Sequence, residues 1–195
     1  MNREFAILGG AFDPPHFSHL SIARQVKQHG NVDRVIFMPC WKHMYGKQLS
    51  APEDRLEMCR MTCAGEHNIE VSNLEISQQL SGETFFLVQK LRAIKNLTCS
   101  LIIGQDNADS FQNWFRYKDL QQMVKFIVVP RGSTPPTTDS WYLKQPHKFL
   151  DIPVKDISST QIRDFVANND ASFARELVKP DVYSYIISHS LYRGL

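Results

Sequence analysis

No apolar run in this 195-residue chain approaches the length of a membrane span, and no basic-then-apolar leader precedes the first hydrophobic segment. The expectation is a cytoplasmic protein that meets no membrane. Charge of one sign is also missing, because 22 Lys and Arg against 20 Asp and Glu leave a formal net charge of +2. A bulk nucleic-acid binder would show a dense basic face, so no nucleic-acid partner is expected, though a local anion site stays open. Cysteine is scarce: there are 4, and none forms a C-x-x-C pair. Cys59 and Cys63, one helical turn apart, read as two core-facing thiols in a reducing compartment rather than as zinc ligands. The chain also lacks G-x-G-x-x-G, the lysine of G-x-x-x-x-G-K-[ST], and H-E-x-x-H. These absences remove the dinucleotide fingerprint, the P-loop and a zinc-protease helix. There is no internal repeat and no low-complexity tract.

What is present is an alternation of short apolar runs with helical patterns. Strands are read at 5–10, 34–39, 69–76, 99–104, 124–130 and 149–154. Between and after them, helical spacing runs over 19–30, 51–65, 84–95, about 107–122, 158–169 and 181–191. Residues 132–140, "GSTPPTTDS", read as a turn-rich surface loop. Strands separated by helices imply parallel pairing with right-handed crossovers. Nearly continuous apolar strands such as "LIIG" and "FIVV" suit a sheet covered on both faces. The predicted fold is therefore α/β: a doubly wound, Rossmann-like parallel sheet with a small C-terminal helical extension. All 195 residues form one domain in this reading, a core over 1–155 and C-terminal helices over 156–195. Ligands of such sheets bind at the carboxyl ends of the strands, so the residues after each strand carry the functional signal.

After the first strand comes Gly9-Gly10-Ala11-Phe12-Asp13-Pro14-Pro15-His16. Two glycines let the backbone turn sharply and approach a ligand. The prolines fix φ and prepare entry into a helix. His16 and His19 then share one face of its first turn, beside free amide N–H groups that favour anions. From spacing alone the pair is either a phosphate cradle or two incidental surface histidines. Asp13 reads as a turn or capping residue. A second anchor is "DISSTQIRDF" at 156–165. Ser158 with Gln161 forms a capping box. Ser159, Thr160 and Arg163 add hydroxyls and a guanidinium that reach an anion held there, and the two roles are compatible.

"GGAFDPPHFSH" resembles the G-G-x-F-D-P-x-H-x-G-H signature of the adenylyltransferase superfamily, with Ser18 standing where that family has glycine. "ISSTQIR" resembles the I-S-S-T-x-I-R motif of the nicotinate or nicotinamide mononucleotide adenylyltransferases, and "LIIGQDNADSFQNWFRYKDL" resembles their I-I-G-x-D and W-x-x-W/Y-x-x-L segments. The resemblance covers nearly the whole chain. It implies transfer of the adenylyl group of ATP to nicotinate mononucleotide; the alternatives are nicotinamide mononucleotide as main acceptor, or a different acceptor or a non-catalytic nucleotide-binding role within the same superfamily. It implies catalytic roles for His16, His19 and Arg163. ATP would be held by Gly9, Gly10, Ala11, Phe12, His16, His19, Gly104, Asp106, Ser158, Ser159, Thr160 and Arg163. The acceptor would meet Lys42, Lys47, Thr84, Phe85, Trp114, Phe115 and Arg131, with Trp114 stacking on the pyridine ring. Read alone, Trp114 packs in the core, and Lys42 and Lys47 are solvated. Phe86 and Val88 depart from the family's threonine and acid.

The implied chemistry needs no general base, because an acceptor phosphate is largely ionised near neutral pH, its second pKa being about 6. Positioning and charge stabilisation would carry the rate. Mg²⁺ would arrive with ATP, held by phosphate oxygens and water rather than by protein carboxylates. A homo-oligomer is left open by the sequence.

Overall fold

The computed structural model describes residues 4–44, 46–94, 98–132, 135–168 and 170–193. In chain order the regular elements are β1 (Glu4–Gly10), α1 (Phe17–His29), β2 (Arg34–Pro39), α2 (Pro52–Cys63), β3 (Ile69–Val71), α3 (Leu74–Ser77), α4 (Thr84–Arg92), β4 (Thr98–Gly104), α5 (Gln105–Asp109), α6 (Tyr117–Met123), β5 (Lys125–Val129), β6 (Lys148–Phe149), α7 (Ser159–Ala167), α8 (Ala171–Leu177) and α9 (Pro180–Ser188). The strands pair in parallel in the order β3-β2-β1-β4-β5-β6. The chain leaves one edge after β3 and returns beside β1 as β4. That reversal creates a crevice at the carboxyl ends of β1 and β4, where open α/β sheets bind ligands.

Both faces of the sheet are buried, as the continuous apolar runs require. On one face Ala6 and Leu8 of β1 pack with Val35 and Phe37 of β2 and with Leu20, Ala23 and Val26 of α1. On the other, Ile7 packs with Leu101, Phe126 and Val128 against Phe85, Val88 and Leu91 of α4 and Leu120 of α6. A third cluster joins Met58 of α2 to Ile162, Val166, Val178, Val182 and Ile186, which seats α7 to α9 on the sheet's flank. Cys59 and Cys63 are buried free thiols, as expected.

Helix ends follow local chemistry. Pro52 opens α2 with Glu53 and Asp54 in its first turn. Ser158 caps α7, its hydroxyl accepting from the Gln161 N–H at 3.2 Å.

Two strands are shorter than expected. The run 69–76 is strand only to Val71, because the Ser72 hydroxyl accepts the Leu74 N–H and turns the chain into α3. The expected strand 149–154 is reduced to Lys148–Phe149. Leu150 N–H still donates to the Val128 carbonyl, but the chain then leaves the sheet edge. Pro153, which has no N–H to offer a ladder, lies on the segment that crosses the carboxyl ends of the strands. Helix α4 ends at Arg92 rather than 95, and Lys95 lies outside the described residues, as do Ser133 and Thr134 of the loop at 132–140. Helix α8 has no counterpart among the elements expected from the sequence. No helix among the described residues is long and apolar enough to cross a membrane.

Candidate active site

The glycine turn is held from beneath. Phe12 takes φ +51, a left-handed conformation that costs a residue with a Cβ about 1 kcal/mol or more. Its buried ring offsets this by stacking on Phe37 at 5.0 Å and meeting the His19 ring edge-on at 4.9 Å. Phe12 thus supports the histidines from the core and does not itself line the ligand crevice. Asp13 is a buried hub: its carboxylate accepts from the Ser50 N–H and from the Tyr192 hydroxyl, and its carbonyl accepts from Arg163.

His16 is the N-cap of α1, and its ring stacks on that of His19 with centroids 3.7 Å apart. The His16 backbone N–H donates to Nδ1 of His19 at 3.2 Å. The ring proton of neutral His19 is therefore on Nε2. Burial, reinforced by the Arg131 charge, holds the His16 pKa down to about 3. Burial, the neighbouring His16 and Arg131 lower His19 well below its usual value. At neutral pH both rings are uncharged in the free protein. They are hydrogen-bonding groups, not the pair of cations that a simple phosphate cradle suggests. Nδ1 of His16 is buried with no hydrogen-bond partner among the described residues.

Two adjoining cavities open at the crevice between β1 and β4. The larger, about 540 Å³, is lined by His16, His19, Gly104, Arg131, Lys155 and their neighbours. The smaller, about 300 Å³, is lined among others by Lys42, His43, Glu75, Thr84 and Ser110. Gly9, Gly10, Ile102, Ile103, Asn107 and Trp114 line both. A Cβ on Gly9 would meet nothing within 4 Å, so its bare backbone forms open wall. Gly82 adopts φ +94, and a Cβ there would stand 2.5 Å from the Lys42 carbonyl, so only glycine lets α4 approach the loop that carries Lys42.

The segment after β6 closes the larger cavity. Ser18 Oγ donates to the Lys155 carbonyl at 2.8 Å, and Gln25 donates to the Pro153 carbonyl at 2.7 Å. The serine that replaces glycine between the histidines therefore anchors the opposite wall.

The residues expected from the sequence divide clearly. Gly9, Gly10, His16, His19, Gly104, Trp114 and Arg131 border the larger cavity, and Ala11, Lys42, Thr84 and Trp114 border the smaller. Asp106 stands just outside, 3.7 Å from Arg131. Ser158, Ser159, Thr160 and Arg163 line neither; Ser159 and Arg163 fasten α7 to the glycine turn, while Ser158 caps the helix and Thr160 accepts from Arg163. Ser159 Oγ donates to the Pro14 carbonyl at 2.8 Å, and Arg163 donates to the Asp13 carbonyl at 2.7 Å and to Thr160 at 3.1 Å. Phe85 is buried under Phe86 and Phe115, with the Arg116 guanidinium over its ring at 4.3 Å. Phe115 and Lys47 are exposed and line neither cavity, and Val88 is fully buried. Lys155, Asn107, Glu75 and Arg55 belong to the site or its frame and were not foreseen. Arg55 alone left a trace, a charge on the inward stripe of α2 beside Leu56, Met58 and Cys59.

A parallel sheet with paired cavities at its switch point, one of them lined by two histidines at a helix start, has the layout in which open α/β sheets bind ligands. The chain belongs to the cytidylyltransferase-like family, whose model it matches over residues 7–165. It is 34% identical to a probable nicotinate-nucleotide adenylyltransferase of Anaeromyxobacter dehalogenans (strain 2CP-C), with 98% of each chain covered. It is 33% identical to one of Myxococcus xanthus (strain DK1622), covering 97% of this chain and 94% of that one. Among solved structures, nicotinic acid mononucleotide adenylyltransferase of Plasmodium falciparum complexed with NaAD superposes with a TM-score of 0.82 over 97% of each chain. At 21% identity that likeness is one of fold, and it agrees with the doubly wound sheet expected from the sequence.

Proposed function

We propose that the protein is an enzyme that transfers the adenylyl group of ATP to nicotinate mononucleotide, giving nicotinate adenine dinucleotide and pyrophosphate. The observation that carries this reading is the shared wall. Two cavities that have Gly9, Gly10, Asn107 and Trp114 in common bring two ligands into contact at one point. Curated relatives spanning the whole chain carry the name of this activity.

The triphosphate is assigned to the larger cavity and the pyridine mononucleotide to the smaller. The acceptor phosphate oxygen forms a bond to the α-phosphorus, the bond to the bridging oxygen breaks, and pyrophosphate leaves with the electron pair. With the acceptor phosphate already ionised, no side chain has to remove a proton. The chain's task is to align the two anions and to stabilise charge on the leaving group. Arg131 and Lys155 supply positive charge in the larger cavity, and Nε2–H of His19 supplies a donor. A triphosphate docked against the histidines favours their protonated forms, so their lowered pKa values rise on binding. Arg163 acts as a positioning residue that fixes the glycine turn. Among the described residues no group of three His, Cys, Asp or Glu side chains could hold a metal ion. Mg²⁺ would enter with ATP, held by phosphate oxygens and water.

The test is pyrophosphate release with ATP and each pyridine mononucleotide. Turnover with nicotinate mononucleotide, lowered by orders of magnitude in His19→Ala, is expected. No release with either acceptor overturns the reading.

A further inference from the structure

Adenylyl transfer as derived from these residues leaves one buried acid of the acceptor cavity without a task. Glu75, on α3, is 6% exposed and lines the smaller cavity together with Lys42, Thr84 and Trp114. Its carboxyl makes no hydrogen bond among the described residues. The neighbouring Arg55 does not satisfy it, because that guanidinium donates to the carbonyls of Ala11, Cys40, Trp41 and Ser50. A buried carboxyl without a protein partner is costly unless a ligand completes it. A cavity of about 300 Å³ leaves a bound base little room to stand clear of its walls.

We propose that Glu75 faces the ring of the bound pyridine mononucleotide and sets the preference between an acidic and an amide ring substituent, an assignment that rests on the adenylyltransferase reading. The physical basis is a single proton. Protonated, the carboxyl donates an O–H to a substrate carboxylate. Ionised, it repels that carboxylate but accepts an N–H from a carboxamide. Burial raises the Glu75 pKa to about 7, and the Arg55 charge only partly opposes this, so the switch falls in the working range. The other ionisable groups around it stay fixed there. Cys40, raised by burial, remains a thiol, and His43, lowered by burial and by Lys47, is neutral above its ordinary value. Both acceptors carry the same phosphate, so its ionisation cancels in their ratio.

The experiment measures kcat/KM for nicotinate and nicotinamide mononucleotide from about pH 6 to about pH 8.5. The acid-to-amide ratio is expected to fall by about tenfold or more with rising pH, with a ceiling of about 300-fold for complete coupling of both acceptors to one ionisation. In Glu75→Gln the ratio should lose its slope. A flat ratio in the unaltered protein, or an undiminished slope in Glu75→Gln, overturns the inference while leaving the adenylyltransferase reading intact. No turnover with either acceptor overturns both. Calorimetry on the unaltered protein gives a second measurement that needs no variant. At about pH 8, nicotinate mononucleotide should bind with uptake of close to one proton and nicotinamide mononucleotide with none, and equal uptake for the two overturns the inference.

Discussion

Replacing Arg55 with methionine removes a side chain that fastens three loops around the acceptor cavity. Arg55 is fully buried, and its guanidinium donates to the carbonyls of Ser50 at 3.0 Å, Ala11 at 2.8 Å, Cys40 at 2.7 Å and Trp41 at 3.1 Å. Ala11 belongs to the glycine turn, Cys40 and Trp41 to the loop after β2, and Ser50 to the entry of α2. Methionine fills most of the space of the stem but offers no donor. A single buried carbonyl left unsatisfied costs about 1–3 kcal/mol, and breaking a buried charged network about 3–5 kcal/mol. Some of these carbonyls can turn toward water, which favours the lower part of the range. We expect a loss of about 3 kcal/mol in urea denaturation, a large share of the roughly 5–15 kcal/mol that holds a domain folded. Residues 40 and 42–44 line the acceptor cavity, so KM for the mononucleotide should rise about tenfold while KM for ATP moves less. Arg55→Lys keeps the charge, but three donors on a flexible stem cannot span four carbonyls, so it should fall between the two. A loss below about 1 kcal/mol in Arg55→Met, with unchanged acceptor KM, would refute the reasoning.

Two further outcomes rest on the same kind of accounting. Tyr192→Phe removes the hydroxyl that donates to Asp13 at 2.7 Å between two buried residues, and leaves a carboxylate oxygen without its partner. The expected cost in urea denaturation is about 1–3 kcal/mol, and a change within experimental error would show that the contact contributes nothing. Arg131→Met removes a charge that lowers both histidines, so NMR titration should find the His16 and His19 pKa values raised, and unmoved values would disprove the coupling. The sign for stability is that of a depressed pKa. Unfolded His16 takes up a proton near its ordinary 6.5 while the folded ring refuses one until about 3, so stability falls as pH drops through that window. Arg131→Met should shallow the fall.

The central strands were legible because burial on both faces leaves unbroken apolar runs, as in Leu101–Ile103 and Phe126–Val129. The edges were not. β6 makes only two ladder pairs, and the segment after it is held by Ser18 and Gln25, which donate to its carbonyls, rather than by a strand ladder. Part of the site was legible for a related reason. His16, His19, Gly9, Gly10 and Trp114 sit in motifs whose spacing survives in the chain, and the fold does bring them together. Ser159 and Arg163 were legible as polar groups beside a helix start, but spacing cannot tell a ligand contact from a bond to a distant carbonyl. Glu75, Asn107 and Lys155 carry no local signal. Each matters only because the sheet's strand order places it on a cavity wall.

The bond between Tyr192 and Asp13 joins residues 179 positions apart. A ribosome completes the glycine turn and the histidine pair early, yet the hydroxyl that satisfies the turn's buried acid follows 179 positions after that acid. Nascent chains therefore carry a glycine turn that is not clasped until Tyr192 has been added. Removing the Tyr192 hydroxyl should therefore act on the distant glycine turn, and be read in ATP affinity.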